Sequence, residues 1–368
     1  MTRHNQSMRT LYVAAGGGGD AVGALLARRA LGDTDERPPL VTTCAWERLR
    51  IDPVPGPRAR SDFKGLGLVG GELCEVLPSS DTTPSGRSVL PRLAETSGAR
   101  IFLHDFEGGA LGLAEQVRRL AGSLDANRLV VVDVGGDIVA RGPEPDLLSP
   151  LADSLTLAAA MRSNLPTSVV VLGPGVDAEL PERQVLGLLQ GVGAVPVGRV
   201  LEEDVRSFET VLSWHPTEAT GLVAAAATGT RGHVAMRRSR MPVPISNHTP
   251  EVWVVKDPSL ESFPLARALG HTANLSEAED AMRACSVNEL DFERRVAGNR
   301  DTSQSPSTLS RLISEMKAVG ATHITGRRLY ESLDWPQSRA ALDSSSRSVA
   351  GLWSIDDLDQ AAKVAAQR

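Results

Sequence analysis

The sequence predicts an α/β fold, a doubly wound and mostly parallel sheet with a helical C-terminal extension. Two observations carry that expectation. Apolar runs of strand length at residues 11–15, 100–104, 129–132 and 168–172 are each followed by apolar residues at helical spacing. Each of these runs also ends in a turn that combines glycine with a carboxylate. Repeated strand–turn–helix units build a parallel sheet with helices on both faces. Right-handed crossovers then bring every strand-to-helix turn to one edge, where open α/β sheets bind their ligands.

The first unit is the most informative. Residues 11–15 read as a strand, Gly16, Gly17, Gly18 and Gly19 as its turn, and Val22, Leu25, Leu26 and Ala30 as the apolar stripe of a helix. Asp20 falls where an N-cap belongs. A glycine turn feeding a helix start exposes backbone N–H groups beside the positive end of the helix dipole, which suits an anion and phosphate above all. The dinucleotide pattern G-x-G-x-x-G fails, because the outer pair Gly18 and Gly23 puts Asp20 at the middle glycine. The P-loop pattern fails at Ala24, where lysine is required. An aspartate in a phosphate cradle repels phosphate unless a cation, an amine or a sugar hydroxyl lies between.

Residues 39–44 read as a second strand. Residues 48–98 carry little pattern; they are rich in Pro, Gly, Ser and Arg, with a short strand at 73–77 and a loop at 79–86. A loop of this length in a compact unit is commonly a lid or binding loop. The turn at 105–109 leads to the stripe Leu113, Val117, Leu120 and Leu124. The strand at 129–132 ends in Asp133-Val-Gly-Gly-Asp137, and Leu151, Leu155, Ala158 and Ala159 mark the next helix. The strand at 168–172 ends in Gly173-Pro-Gly-Val-Asp177 and then Glu179, before a helix at 183–189. A helix follows at 205–212, and a small-residue helix at 219–227 with Pro216 near its start. Arg231, His233, Arg237, Arg238 and Arg240 suggest an edge strand with a basic face, either solvated or clamping an anion. A strand at 252–255 and helices at 275–285, 290–296, 309–319 and 355–366 complete the pattern, with a polar linker at 299–307 and low complexity at 344–348. The expected division is a ligand-binding domain at 1–260 and a mainly helical extension at 261–368, the latter a cap or an oligomer contact.

Composition narrows the function. Aromatic residues are only 4% of the chain, so the core must rest on Ala, Val and Leu. A net charge of −6 argues against a nucleic-acid coat. Cys44, Cys74 and Cys285 are too few and too far apart for a disulfide framework or a zinc site. No apolar run reaches membrane-spanning length, and residues 1–9 hold no apolar leader segment. The expected location is the cytoplasm.

Four strand ends carry the same chemistry, Gly16–Asp20, 105–109, 133–137 and 173–179. One such turn is punctuation, since Gly and Asp serve turns and caps for steric reasons. Four at one edge put several carboxylates in one crevice, where like charges raise each other's pKa or demand a cation. His215, fixed by Pro216 with Glu218 nearby, is the histidine placed to join them.

Together the Gly-Gly-Gly-Gly-Asp-Ala-Val-Gly turn, Asp133-Val-Gly-Gly-Asp137, Ser149-Pro-Leu-Ala-Asp153 and Gly173-Pro-Gly-Val-Asp177 resemble a family of archaeal and actinobacterial proteins classed as a domain of unknown function. The likeness runs over residues 11–255 and implies no activity. A local likeness to phosphofructokinase lies in Gly18-Gly-Asp-Ala-Val-Gly23, where that family has Gly-Gly-Asp-Ala-Pro-Gly beside nucleotide phosphates, and in Gly135-Gly-Asp137, which resembles the start of its metal-phosphate turn.

The expectation is therefore a Rossmann-like enzyme acting on a small, anionic, phosphorylated or nucleotide-like metabolite. Gly16, Gly17, Gly18, Gly19, Gly135, Gly136, Gly173 and Gly175 would form the cofactor-binding turns, with Asp20. Asp20, Asp133 and Asp137 would hold Mg²⁺ or sugar hydroxyls. Asp105, Asp133, Asp177 and His215 are the catalytic set, with Asp105 or Asp177 as general base. Group transfer, phosphoryl or glycosyl, is the reaction class expected. The rivals are a nicotinamide-dependent oxidoreductase, which needs the fingerprint that is broken here, and a non-catalytic sensor, which needs fewer carboxylates.

Overall fold

The computed structural model describes residues 9–83, 86–236, 241–298, 308–333 and 351–366. Its first unit is β1 (Thr10–Ala14) and α1 (Gly18–Ala30), followed by β2 (Leu40–Thr43). The weakly patterned stretch holds β3 (Phe63–Lys64), β4 (Gly67–Val69), β5 (Glu72–Val76), β6 (Asp81–Thr82) and α2 (Leu90–Thr96). Next come β7 (Arg100–Leu103), α3 (Gly109–Ser123), β8 (Arg128–Val134), α4 (Pro150–Arg162), β9 (Thr167–Leu172), α5 (Glu182–Gly191) and β10 (Val195–Arg199). They are followed by α6 (Glu202–Arg206), α7 (Glu209–Leu212), α8 (Ala219–Ala227), β11 (Gly232–Ala235), β12 (Val243–Ile245) and β13 (Glu251–Lys256). The last described part holds α9 (Pro264–Leu269), α10 (Leu275–Cys285), α11 (Glu289–Gly298), α12 (Leu309–Ala318), β14 (His323–Thr325), α13 (Gly326–Ser332), β15 (Leu352–Ser354) and a terminal helix, Ile355–Ala366.

Nine strands form the main sheet in the order β10-β13-β9-β8-β1-β2-β7-β5-β4. The five from β9 to β7 are parallel; β13 and β5 join them antiparallel, and β10 and β4 complete the edges. The chain lays β1, β2 and β7 outward on one side, then returns to set β8 and β9 on the other side of β1. This is the order of a Rossmann-like fold, and its reversal lies between β1 and β8. At that point the chain after β1 leaves for one face and the chain after β8 for the other, which opens a crevice between them.

Strand alternation sorts the core into two layers. Leu11, Val13, Leu129 and Val131 pack with α3 and α4, while Tyr12, Ala14, Val130 and Val132 pack with α1 and α8. Gly23 lets α1 approach β8 closely, since a Cβ there would meet Val134 Cγ2 at 2.2 Å. Helix α4 is buried from Pro150 to Ala160, because the sheet, α3, α9 and α10 surround it.

Several elements depart from the sequence pattern. β8 runs two residues past Val132, since Asp133 and Val134 still pair with Val171 and Leu172. The stretch expected as one helix at 205–212 is two short helices, α6 and α7. Phe263, Leu265, Met282 and Leu290 share the core of α3 and α4, so the packing does not divide at residue 260. Nor is the far C-terminal part only helical. β14 and β15 join β11 and β12 in a second sheet, ordered β12-β11-β14-β15. β11 is therefore an inner strand rather than an edge, and Arg231 beside it donates to the carbonyls of Ala226 and Thr230 rather than facing an anion. Arg237, Arg238 and Arg240, the linker at 299–307 and the segment 344–348 lie outside the described residues.

Candidate functional site

The glycine turn after β1 forms one wall of a cavity of about 210 Å³ at the crevice. Helix α1 is capped by Gly17, and Asp20 is its third residue rather than its N-cap. From there the carboxylate reaches back, and its Oδ2 accepts the Gly16 N–H at 2.8 Å, the gesture of the acidic partner in a capping box. The N–H groups of Gly17, Gly18 and Gly19 have no protein acceptor among the described residues. The turn admits no side chains. A Cβ on Gly16 would lie 2.6 Å from Asp20 Oδ2, one on Gly17 3.0 Å from the Trp46 carbonyl oxygen, and one on Gly18 2.6 Å from Val89 Cγ2.

Carboxylates crowd against this turn. Asp133 near the end of β8, Asp153 in the first turn of α4, and Asp20 each offer an oxygen within 4.8 Å of the others. Asp133 Oδ2 and Asp153 Oδ1 are buried with no hydrogen-bond partner. Burial pushes Asp133 well above the usual carboxylate range, and the charges of Asp20 and Asp177 push it further. Asp153 is raised by burial and then by Asp133 and Asp20. Asp20 is raised by burial to about 7, with the Gly16 N–H and then Arg48 drawing it back. Asp177, after β9, is raised by burial and by Glu179 to about 8; its Oδ1 accepts the Glu179 N–H at 3.0 Å and its Oδ2 is unpartnered. Asp137 lines the same cavity and is raised by burial, then by Asp153. A set like this holds protons or a cation, because several bare carboxylates cannot share a dry cavity.

Not every acid there is available. Glu179 staples the start of α4, accepting from the N–H groups of Leu148 at 2.8 Å and Ser149 at 2.9 Å and from the Ser149 hydroxyl. His215 closes the cavity over the turn. Its Nδ1 accepts the Thr217 N–H at 3.2 Å, which leaves Nε2 as the N–H of the neutral ring. Nε2 is buried without a partner and lies 3.6 Å from where a Cβ on Gly18 would stand. Burial holds this histidine down at about 3, so it stays neutral and carries an Nε2–H with no acceptor among the described residues.

The crevice thus gathers Gly16, Gly17, Gly18, Gly19, Asp20, Asp133, Asp137, Asp177 and His215. It does not gather Asp105. That carboxylate stands at the same sheet edge but beyond β2, where it accepts from Arg60 N at 3.2 Å and Gln116 Nε2 at 3.1 Å. Arg60 and Gln116 use it to hold the loop after β7, and it does not line the acidic cavity. Gly135, Gly136, Gly173 and Gly175 do not line the cavity either. All four have positive φ and are packed turns; a Cβ on Gly135 would meet Asp177 Oδ2 at 2.1 Å and one on Gly175 the Glu182 backbone at 2.6 Å. Of the four, Gly135 is the one packed directly against Asp177. The third carboxylate beside Asp20 and Asp133 is Asp153, not Asp137. One signal for it was legible, the only charged residue in a largely apolar helical stretch, Leu151 to Ala160, which must be buried on every side.

A family model described as a protein of unknown function, DUF1152, matches residues 11–297, and the chain belongs to that family. No curated protein and no solved structure matches the chain.

Proposed function

We propose that this member of the family is an enzyme that binds a small phosphorylated or nucleotide-like metabolite with Mg²⁺ and transfers a phosphoryl or glycosyl group. One observation carries the reading. Three N–H groups without acceptors among the described residues, at the start of a 13-residue helix, line one cavity with three carboxylates whose oxygens converge within 4.8 Å, Asp20 being on that helix's own first turn. The first half suits an anion and the second a hard cation, and a metal-bound phosphate is both. The donors are all oxygens and two are unpartnered, as Mg²⁺ prefers when phosphate and water complete its shell. Bound there, Mg²⁺ would supply positive charge at the phosphate oxygens.

The chain's own groups have separable tasks. The turn N–H groups and the α1 dipole hold the anion. Asp20, Asp133 and Asp153 neutralise and place the cation. His215 Nε2–H donates toward the glycine turn, where a transferred or leaving oxygen would gather charge. Asp177, held at about 8, is poised to exchange a proton near neutral pH. A cytoplasmic location accords with three free cysteines. Among the described residues no helix is long and apolar enough to cross a membrane.

The strand order favours one rival, dinucleotide-dependent oxidation. Two contacts weigh against it. The Trp46 carbonyl crosses close to Gly17, and Glu47, the first carboxylate beyond β2, already accepts from Val89 N at 2.8 Å and Ser88 Oγ at 3.2 Å. Both bonds fall on Glu47 Oε1, and the main objection stays the broken G-x-G-x-x-G pattern, with Asp20 at its middle glycine.

The test is thermal shift and calorimetry with MgCl₂, sugar phosphates, nucleotides and NAD on the wild type and on Asp133→Asn. A ligand at a hundred times its Kd adds about 2.7 kcal/mol of stability. Mg²⁺ together with a phosphorylated metabolite is expected to stabilise the wild type and not the variant. Stabilisation by NAD alone, or none by any phosphorylated ligand with Mg²⁺, overturns the reading.

A further inference from the structure

A second cavity, of about 690 Å³, adjoins the acidic one, and the two meet at His215, Thr217 and Glu218. Its far wall is made by Thr325, Tyr330 and Trp353, all beyond the residues matched by the family model. The chain has only five tryptophans and two tyrosines, yet Trp214, Tyr330 and Trp353 all line this one cavity. The Arg92 guanidinium covers one face of Trp214 at 4.4 Å from the ring centroid. Trp214 Nε1 is buried with no acceptor among the described residues. The cavity therefore offers flat apolar rings together with a buried N–H donor that lacks an acceptor.

Those properties select a flat heterocycle that carries hydrogen-bond acceptors. An aliphatic chain would fill the space but leave the Trp214 N–H unpaired, which is costly in a buried site. Ile51, His215, Pro216, Thr217, Glu218 and Arg327 line both cavities, so the two subsites adjoin and one ligand can reach from the glycine turn into the second. We propose that the second cavity is a nucleobase subsite and that the substrate is a nucleoside phosphate. Its phosphate sits on Gly17, Gly18 and Gly19, and its base lies among Trp214, Tyr330 and Trp353. The phosphate end rests on the function proposed above; the base end rests on the second cavity alone.

The experiment uses the full chain in MgCl₂, with calorimetry and tryptophan emission as readouts. The probes are AMP, GMP, CMP and UMP, the four matching nucleosides, ribose 5-phosphate and hexyl phosphate. At least one nucleoside monophosphate is expected to bind at least tenfold more tightly than ribose 5-phosphate and to change tryptophan emission. Trp353→Ala is expected to weaken that nucleotide roughly 5- to 100-fold, the range for loss of one stacking ring, and to leave ribose 5-phosphate unchanged. Trp214→Phe keeps a ring and removes the N–H, and is expected to weaken the nucleotide alone, which covers the case in which Trp353→Ala does not fold. The proposal is overturned if no nucleotide binds better than ribose 5-phosphate, if hexyl phosphate binds best, or if the folded variants weaken nucleotide and sugar phosphate equally. Failure of the parent reading looks different: nucleosides still bind and change the emission, while neither Mg²⁺ nor the phosphate adds affinity.

Discussion

Asp133 is the residue on which the site turns, and stability separates its possible roles. A carboxylate that staples a turn loses about 1.5–3 kcal/mol when neutralised, the worth of a hydrogen bond to a charged group. Asp133 is raised by burial and by Asp20 and Asp177, which outweigh the lowering by the Ile138 and Gly136 N–H groups it accepts, and its Oδ2 has no partner among the described residues. Asp133→Asn should therefore leave the melting temperature of the ligand-free protein unchanged or higher while removing turnover and the response to Mg²⁺. A large fall in melting temperature with turnover per folded molecule preserved would place it among the staples. Asp105 is the contrasting case. Asp105→Asn disturbs the acceptor of Arg60 N and Gln116 Nε2, so it should cost about 1–3 kcal/mol in chemical denaturation and leave turnover per folded molecule intact. At the turn, Gly18→Val puts a branched side chain where a Cβ alone meets Val89 Cγ2 at 2.6 Å. Anion binding measured by calorimetry on the folded fraction should vanish, and retention of wild-type affinity would remove the turn from the site.

At the scale of elements, the site depends on how closely α1 and α4 approach β8 from opposite faces. Gly23 faces Val134, and an added Cβ would stand 2.2 Å from Val134 Cγ2. Gly23→Ala should cost about 1–3 kcal/mol through overpacking despite alanine's better helix propensity. It should also weaken Mg²⁺ binding, because Asp20 rides on the turn of α1 that would be displaced. Denaturant melts and Mg²⁺ titration read the two effects separately; a stabilised variant would show that the helix can slide without loss. Helix α4 carries Asp153 into the core, and Glu179 and Glu289 cap its start from distant segments, with Glu289 Oε2 accepting the Leu151 N–H at 3.4 Å.

For the whole molecule, the acidic cavity sets a pH dependence of known sign. Asp20 at about 7 and Asp177 at about 8 bind protons more tightly in the native protein than in the unfolded chain, where aspartate titrates near 3.9. Between about pH 4 and pH 8 the native state thus holds more protons, and these groups lower stability as pH rises. Buried His104 and His215, each held down at about 3 by burial, act with the opposite sign up to about pH 6.5, so the comparison must be internal. From pH 5 to 8.5 without metal, the wild type should lose melting temperature relative to Asp133→Asn. Mg²⁺ should restore more at pH 8 than at pH 5, because it displaces protons from the cluster. A difference that is flat or of the opposite slope would count against the cluster.

What could be read in the chain alone follows from local rules. Strand and helix periods, and the glycine turns, depend on neighbours within a few residues, so the order of elements along β1, β2, β7, β8 and β9 and the edge that gathers their turns were legible. So was the pairing of Gly16, Gly17, Gly18 and Gly19 with Asp20 and Asp133, because the strand ends of a parallel sheet are neighbours by topology. The tertiary structure decided what local rules do not contain. It removed Asp105, since Arg60 reaches that carboxylate from 45 residues away. It brought in Asp153, whose place beside Asp133 depends on α4 crossing under the crevice. It joined β14 and β15 to β11 across a long gap in sequence, which sets the aromatic wall beside His215. It also set which carboxylates are left without partners. That depends on desolvation, which belongs to the packed molecule and to no short stretch of chain.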